Sequence, residues 1–199
     1  MSGLDELVVR EIAGNDMIIA LELAGRALRD NPGTRAWGSN DSLVRHREVV
    51  TVMRSTFAHS VGLGAFVGDV CVGVAARFPP GECMGVTLAE LAGHQHDPVG
   101  PPGDPSRALV FGAATVANDL AEPHWHVGPV SVEPGCQGHG IGSKLLAALC
   151  RGLDDERGIG FLETDKLENV RLYERFGFGV THIADIVGAT VWHMRRGCH

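Results

Sequence analysis

The sequence predicts an α/β chain, α+β by some schemes, built on a mixed sheet. Three observations carry this. Strand-like and helix-like segments alternate along most of the chain. Hairpin patterns stand toward both ends, one over residues 65–74 with a Gly68-Asp69 turn and one over residues 178–194. Between them Ile141, Leu145, Leu149 and Leu153 recur every fourth residue, which places one apolar stripe on a helix.

Each element follows from local signals. Residues 7–10, Leu-Val-Val-Arg, read as a first strand. Asn15 or Asp16 can cap a helix running to about residue 29, with Ile18, Leu21 and Leu28 on one side. Asn31-Pro32-Gly33 stops it, and residues 32–39, including Trp37, read as a linker. Asp41 or Ser42 can cap a second helix through Val49, Val52, Met53 and Phe57. After the first hairpin, residues 88–94 suggest a short helix, and residues 97–104 are too dense in Pro and Gly for anything but a loop. Residues 107–120 fit a helix, 124–132 a strand, 141–153 a helix and 160–164 a strand. A short helix over 169–176 ends at Gly177, and strands over 178–183 and 190–194 close the chain. No internal repeat and no boundary signal stands out. The expectation is a single domain over residues 1–199, with 97–105 as an inserted loop.

Composition narrows the function classes. The chain has 199 residues, 44% hydrophobic and 21% charged, enough apolar material to fill a core. The formal net charge is −7 and no Lys/Arg block stands out, which argues against a nucleic-acid partner. An acidic surface mildly favours a cationic small substrate, and solubility alone also explains it. No apolar run reaches the ~18–20 residues needed to span a bilayer, so no membrane role is expected. The five cysteines are dispersed without a CxxC pair, and the first residues lack the features of a signal peptide, so a reduced, cytoplasmic setting is expected.

The most informative stretch is Val130-Ser131-Val132-Glu133-Pro134-Gly135-Cys136-Gln137-Gly138-His139-Gly140-Ile141-Gly142-Ser143. A strand-like run ends in a Pro-Gly turn, alternate glycines follow, and an amphipathic helix begins at once. Unpaired N–H groups at a helix N-terminus, with the helix dipole behind them, favour an anion there. Glycines let the backbone approach a ligand and adopt dihedrals that side chains disfavour. A Walker A loop does not fit, because Lys144 follows Ser143 and is out of register. A Rossmann loop does not fit either, because the spacing is G-x-G-x-G and lies late in the chain. Gln137-Gly138-His139-Gly140-Ile141-Gly142 does satisfy a third pattern, Gln-x-x-Gly-x-Gly/Ala, a signature for the pyrophosphate of coenzyme A. The plain alternative is a glycine-rich turn with no ligand.

The segment from Trp125 to Phe178 resembles the GNAT superfamily of N-acetyltransferases. Three ordered blocks carry the resemblance: residues 127–142 with the glycine loop, the strand Phe161-Leu162-Glu163-Thr164, and Asn169-Val170-Arg171-Leu172-Tyr173-Glu174-Arg175-Phe176-Gly177-Phe178. The resemblance implies a central mixed, mostly antiparallel sheet, splayed in the middle and flanked by helices, with acetyl-CoA in the gap as co-substrate. It implies direct transfer of an acetyl group to a primary amine of a small molecule or peptide. A non-catalytic acyl-CoA-binding or sensor domain, or transfer from another acyl-CoA, stays open as an alternative.

Site residues follow from the same resemblance. A bulge near Gly128-Pro129 would free N–H groups of Val130, Ser131 and Val132 toward the pantetheine arm and thioester. Gln137, Gly138, His139, Gly140, Ile141, Gly142 and Ser143 would hold the pyrophosphate. Tyr173 matches the tyrosine that donates to the departing sulfur; its other role is a core aromatic beside Leu172 and Phe176. Asn169, one helical turn earlier, can face the cofactor and also cap its helix.

The base is less defined. His124 and His126 lie two apart on a strand and share a face. His126 suits a proton relay, or it simply packs at the strand end. Glu163 is the other candidate, acting through water. Glu133 is expected to order the Glu-Pro turn. His94-x-His96-Asp97 and His124-x-His126 lack a spaced third ligand, so no metal is expected. The acceptor would be shaped by the first helices, their linker and the last hairpin. Exposed final strands could pair two subunits into a homodimer.

Overall fold

A computed structural model describes residues 6–14, 16–82 and 97–198. The cap candidate Asn15, the short helix expected over 88–94, and His94 and His96 lie outside the described residues. Strand β1 (Leu7–Glu11) precedes α1 (Asp16–Leu28), α2 (Pro32–Trp37) and α3 (Ser42–Ala58). The first hairpin is β2 (Val61–Val67) and β3 (Val70–Phe78), and α4 (Ser106–Ala117) follows the Pro/Gly-rich loop. Then come β4 (Trp125–Val132), a 3-10 turn (Pro134–Cys136), α5 (Ile141–Asp155), β5 (Gly160–Thr164) and α6 (Leu167–Glu174). The last hairpin is β6 (Gly179–Ile186) and β7 (Ala189–Arg196).

Among the described residues the strands form one seven-stranded sheet in the order β1-β2-β3-β4-β5-β7-β6. Only β4 and β5 run parallel; the other neighbours are antiparallel. This is the mixed sheet that the alternating pattern predicts.

The expected stripe on α5 is the centre of the larger core. Ile141, Leu145, Leu149 and Leu153 are all buried, against Ala65, Val72, Val127 and Leu162 of the sheet. Each such side chain contributes about 1.5–3 kcal/mol through removal from water. On the opposite face α1 brings Leu21 and Leu23 against Phe57, Phe66 and Val74. Helices α1 and α3 cross closely at Gly25, where an added Cβ would lie 2.7 Å from the His46 ring and from Val50. Asp41 caps α3, its Oδ1 accepting from Leu43 N and Val44 N at 2.8 and 3.2 Å.

Three local expectations are corrected. Pro32 begins a helix as well as ending a segment: at the first helical position its missing N–H would have had no acceptor, and its fixed φ suits the turn. Thus Trp37 closes α2 and does not lie in an open linker. Strand β2 begins at Val61 and not at residue 65, because ladder bonds to β1 and β3 overcome the poor strand preference of Gly62 and Gly64. Helix α6 begins at Leu167, so Lys166 occupies the cap position and Asn169 sits in the first turn. The Asn169 side chain donates instead to Thr164 Oγ1 at 3.2 Å, joining α6 to the end of β5.

Candidate active site

The site starts from a failure of strand pairing. β4 and β5 are in register only at Trp125↔Gly160 and His126↔Phe161. Beyond these two pairs the strands separate. β3 still pairs with the far edge of β4, so alternate main-chain groups of residues 127–132 face the gap without a strand partner.

β4 also carries the expected bulge. Val127 opposes Arg77 and Val130 opposes Ala75, so β4 holds one residue more than β3 across Gly128-Pro129. The peptide between them is cis, and Gly128 has φ 151°, a region that favours glycine. The extra residue shifts the side-chain alternation. Trp125, Val127, Val130 and Val132 all pack toward α5, while His126 and Ser131 turn to the other face.

The gap is a cavity of about 650 Å³. One wall is β4 and the glycine loop, and the other is the end of β5 with α6. Val130, Ser131, Val132, Gln137, Gly138, Gly140, Ile141, Gly142 and Ser143 line it, as do Asn169, Tyr173, His126 and Glu163. The structure therefore brings together all the sequence-predicted site residues except His139. That imidazole folds back on its own loop, with Nδ1 2.8 Å from the carbonyl oxygen of Gln137.

The glycine loop has the form that anion binding needs. Gly138 and Gly140 have φ 78° and 79°, and Gly140 is the cap residue of α5. The first-turn N–H groups of Ile141, Gly142 and Ser143 follow at once, without intrahelical acceptors. Gln137 Nε2 donates to Val132 O at 3.2 Å and ties the loop to the end of β4. Glu133 does more than order its turn. Its carboxylate takes Arg26 of α1 in a two-pronged pair, at 3.1 Å from Nε and 2.8 Å from NH2.

On the opposite wall Tyr173 is buried, edge-on to Phe178 with ring centroids 6.1 Å apart. Burial pushes its hydroxyl well above the ordinary tyrosine range, helped by the charges of Glu163 and Asp165. It is therefore held protonated.

His126 Nε2 lies 3.0 Å from Glu163 Oε2. Both line the cavity, and the carboxylate, 21% exposed, is the more accessible of the two, the imidazole being 3% exposed. Burial is the largest influence on His126 and would lower its pKa, but the charge and hydrogen bonding of Glu163, together with the charge of Asp119, turn the net direction upward. Glu163 moves down: burial, the largest influence, would raise it, and the charge and hydrogen bonding of His126 together with the charge of His193 more than offset that.

Behind this pair lies a layer of which local sequence reasoning named only His124. His124 Nε2 is 3.0 Å from Asp119 Oδ1, and the His124 and His126 rings both meet the edge of Phe161. His193 stacks on Phe161 and on His182, the latter at 4.1 Å between centroids. Burial pushes His193 down to about 4, so it is neutral. A signal for it exists: a final hairpin turning at Val187-Gly188 places His182 opposite His193. Asp119, His124 and His126 bring three ligating atoms within 4.8 Å of one another. The third group that the His-x-His spacing lacked is thus supplied by the loop after α4.

Comparison with known proteins agrees with this architecture. The model of the acetyltransferase (GNAT) family matches residues 50–178. A crystal structure of histone acetyltransferase HPA2 and related acetyltransferase from Corynebacterium glutamicum superposes with a TM-score of 0.70 at 18% identity, over 98% of this chain and 97% of that one. The polyamine N-acetyltransferase of Drosophila melanogaster, which forms N-acetylagmatine, gives 0.68 at 15% identity, over 96% and 99% of the two chains. A GNAT-family acetyltransferase of Brucella melitensis in complex with acetyl-CoA gives 0.54 at 18% identity, over 96% and 87%. The chain belongs to the GNAT family of acetyltransferases.

Proposed function

We propose that this enzyme transfers the acetyl group of acetyl-CoA directly to a primary amine of a small, cationic molecule. The observation that carries this reading is the parting of β4 from β5 after two residue pairs, with the glycine loop at the end of one wall and Glu163 and Tyr173 on the other.

The pantetheine arm pairs with the open edge of β4 as a further strand would. Its pyrophosphate sits on the N–H groups from Gly138 to Ser143, at the positive end of the α5 dipole. A main-chain N–H of residues 130–132 donates to the thioester oxygen as negative charge develops there. An alkylammonium with pKa near ~10 must lose a proton before it attacks. Glu163 faces the cavity and accepts that proton through water, and His126 behind it holds the proton. The amine nitrogen bonds to the acyl carbon, the carbon–sulfur bond breaks, Tyr173 gives its proton to the departing thiolate, and the second proton shed by the nitrogen returns through water to the tyrosinate. Asn169 braces the wall that carries Tyr173.

No step here needs a metal. His124 and His126 each have their own carboxylate at 3.0 Å, a separation suited to a shared proton. The similar Drosophila enzyme, a polyamine N-acetyltransferase that forms N-acetylagmatine, supports a cationic small amine as the acceptor class. The acidic lining of Glu163 and Asp165 is in keeping with it.

Two measurements test the reading. Calorimetry should show one coenzyme A bound per chain, and no binding would sink it. Thiol release from acetyl-, propionyl- and succinyl-CoA, with a panel of agmatine, spermidine and an alanyl peptide, should be fastest with acetyl-CoA and a cationic small amine. Prior treatment with a chelator should leave that rate unchanged within twofold.

A further inference from the structure

Helix α2 has six residues, too few to hold its shape in water without outside contacts. Its two ends are fixed by different neighbours. At the cavity end, Gly33 N donates to Asp165 Oδ2 at 2.6 Å, and both Asn31 and Asp165 line the cavity. At the far end, the Ala36 carbonyl accepts from Arg107 Nε. Carbonyls in the last turn of a helix have no intrahelical donor, and a cation is the favoured partner there.

Arg107 does more than cap α2. Its NH1 donates to Gly100 O at 2.9 Å and its NH2 to Val187 O at 3.0 Å. One guanidinium thus joins α2, the Pro/Gly-rich loop and the β6–β7 turn, segments separated in sequence by 71 and 80 positions from Arg107 on either side. Arg107 lies in the first turn of α4, where the helix dipole disfavours a positive charge. Its position is explained by the three carbonyls and not by α4. The loop has a second tie, Asn40 Nδ2 to Pro102 O at 3.3 Å. The buried Arg45 holds Asn40 in turn, donating to its carbonyl at 3.0 Å.

We infer that Arg107 is a positioning residue for the acceptor amine, and that the loop over residues 97–104 acts with it by holding α2 in place. The fork sets where α2 lies, and α2 in turn sets the place of its cap residue Asn31, which lines the cavity. The three carbonyls that accept from Arg107 lie outside the glycine loop, α5 and α6, and α2 meets the coenzyme A wall at Gly33 N and Asp165 Oδ2. The inference rests on the proposed transfer to an amine.

The test compares wild type with Arg107→Gln and Arg107→Lys. The acceptor is whichever amine of the panel wild type turns over fastest. Arg107→Gln should raise KM for the amine about tenfold or more, roughly the loss of one charge-assisted bond set. KM for acetyl-CoA and the calorimetric affinity for coenzyme A should stay within twofold. Arg107→Lys should recover part of the loss, since an ammonium can still meet one carbonyl but not all three. Hydrogen exchange, which needs no acceptor, should quicken in residues 32–38, 97–104 and 186–189 and stay unchanged in 137–143. An unchanged amine KM, equal rises in both KM values, or exchange that quickens equally in the glycine loop would overturn the inference. If Arg107→Gln does not fold, the same split is read on Arg107→Lys. Loss of coenzyme A binding by wild type would instead reject the underlying transfer reading.

Discussion

The two sides of the cavity obtain their shapes from different ranges of the chain. The side assigned to coenzyme A is nearly continuous, from β4 through the glycine loop and α5 to β5 and α6. Its geometry comes from turn chemistry, a bulge and helix termini, each set within a few residues. The side assigned to the acceptor joins α2, the 97–104 loop and the β6–β7 turn. Those segments meet through side-chain bonds such as Arg107 to Ala36, 71 positions apart, and Arg107 to Val187, 80 apart. Local geometry tolerates little change and repeats from one sequence to another. A frame held by a few long-range bonds can be retuned by single substitutions, which is where substrate choice is expected to vary.

Mutations at the meeting point of the two sides should have the largest effect. Glu163→Gln should lower kcat by roughly 10²–10⁴-fold, the usual scale for a lost proton acceptor, with coenzyme A affinity nearly unchanged. Steady-state rates and calorimetry check this. The pH profile adds a direction. His126 must be neutral to take the proton, and Glu163 and Asp119 raise its pKa while burial and His124 lower it. The acidic limb of kcat/KM in wild type should therefore lie above ~6.5, the ordinary imidazole value. In Glu163→Gln burial dominates and the limb should move down. A limb that stays in place would remove His126 from the relay.

Next in size is Tyr173→Phe, expected to cost roughly 10²-fold in kcat at the lower end of acid–base effects. The ring contact with Phe178 should survive, so thermal stability should change little. Intact turnover in this variant would return Tyr173 to a core role. Smaller still is Gly140→Val. Its φ of 79° costs a side-chain-bearing residue about 1–2 kcal/mol, so coenzyme A should bind about tenfold more weakly while KM for the amine holds. Arg107→Gln is the mirror case, with the amine affected and coenzyme A spared. If the two variants moved both constants together, the contrast between the two sides would collapse.

Much of the first side was legible from residues alone. The alternate glycines and the leucine stripe on α5 each state a local rule and were found where the pattern placed them, and the bulge that the resemblance implied lies at Gly128-Pro129. Asn169 shows the limit even there. An Asn before an apolar run suits a cap, but the helix starts at Leu167 and the amide reaches Thr164. His139 shows another: its position in the motif is right, yet its ring bonds to its own loop.

The sequence by itself determined the sheet-and-helix alternation, the amphipathic α5, the phosphate-type loop and the family resemblance. These depend on periodicity and turn chemistry, which act over a few residues. Only the tertiary structure decided that β4 and β5 part after two pairs, that Glu163 and His126 pair at the cavity wall, and that Asp119 meets His124 while His193 stacks between Phe161 and the exposed His182. It also decided that a lone arginine in the first turn of α4 would reach three distant carbonyls. Such contacts join positions far apart in the chain. No local pattern records them, because they exist only once packing has brought the segments together.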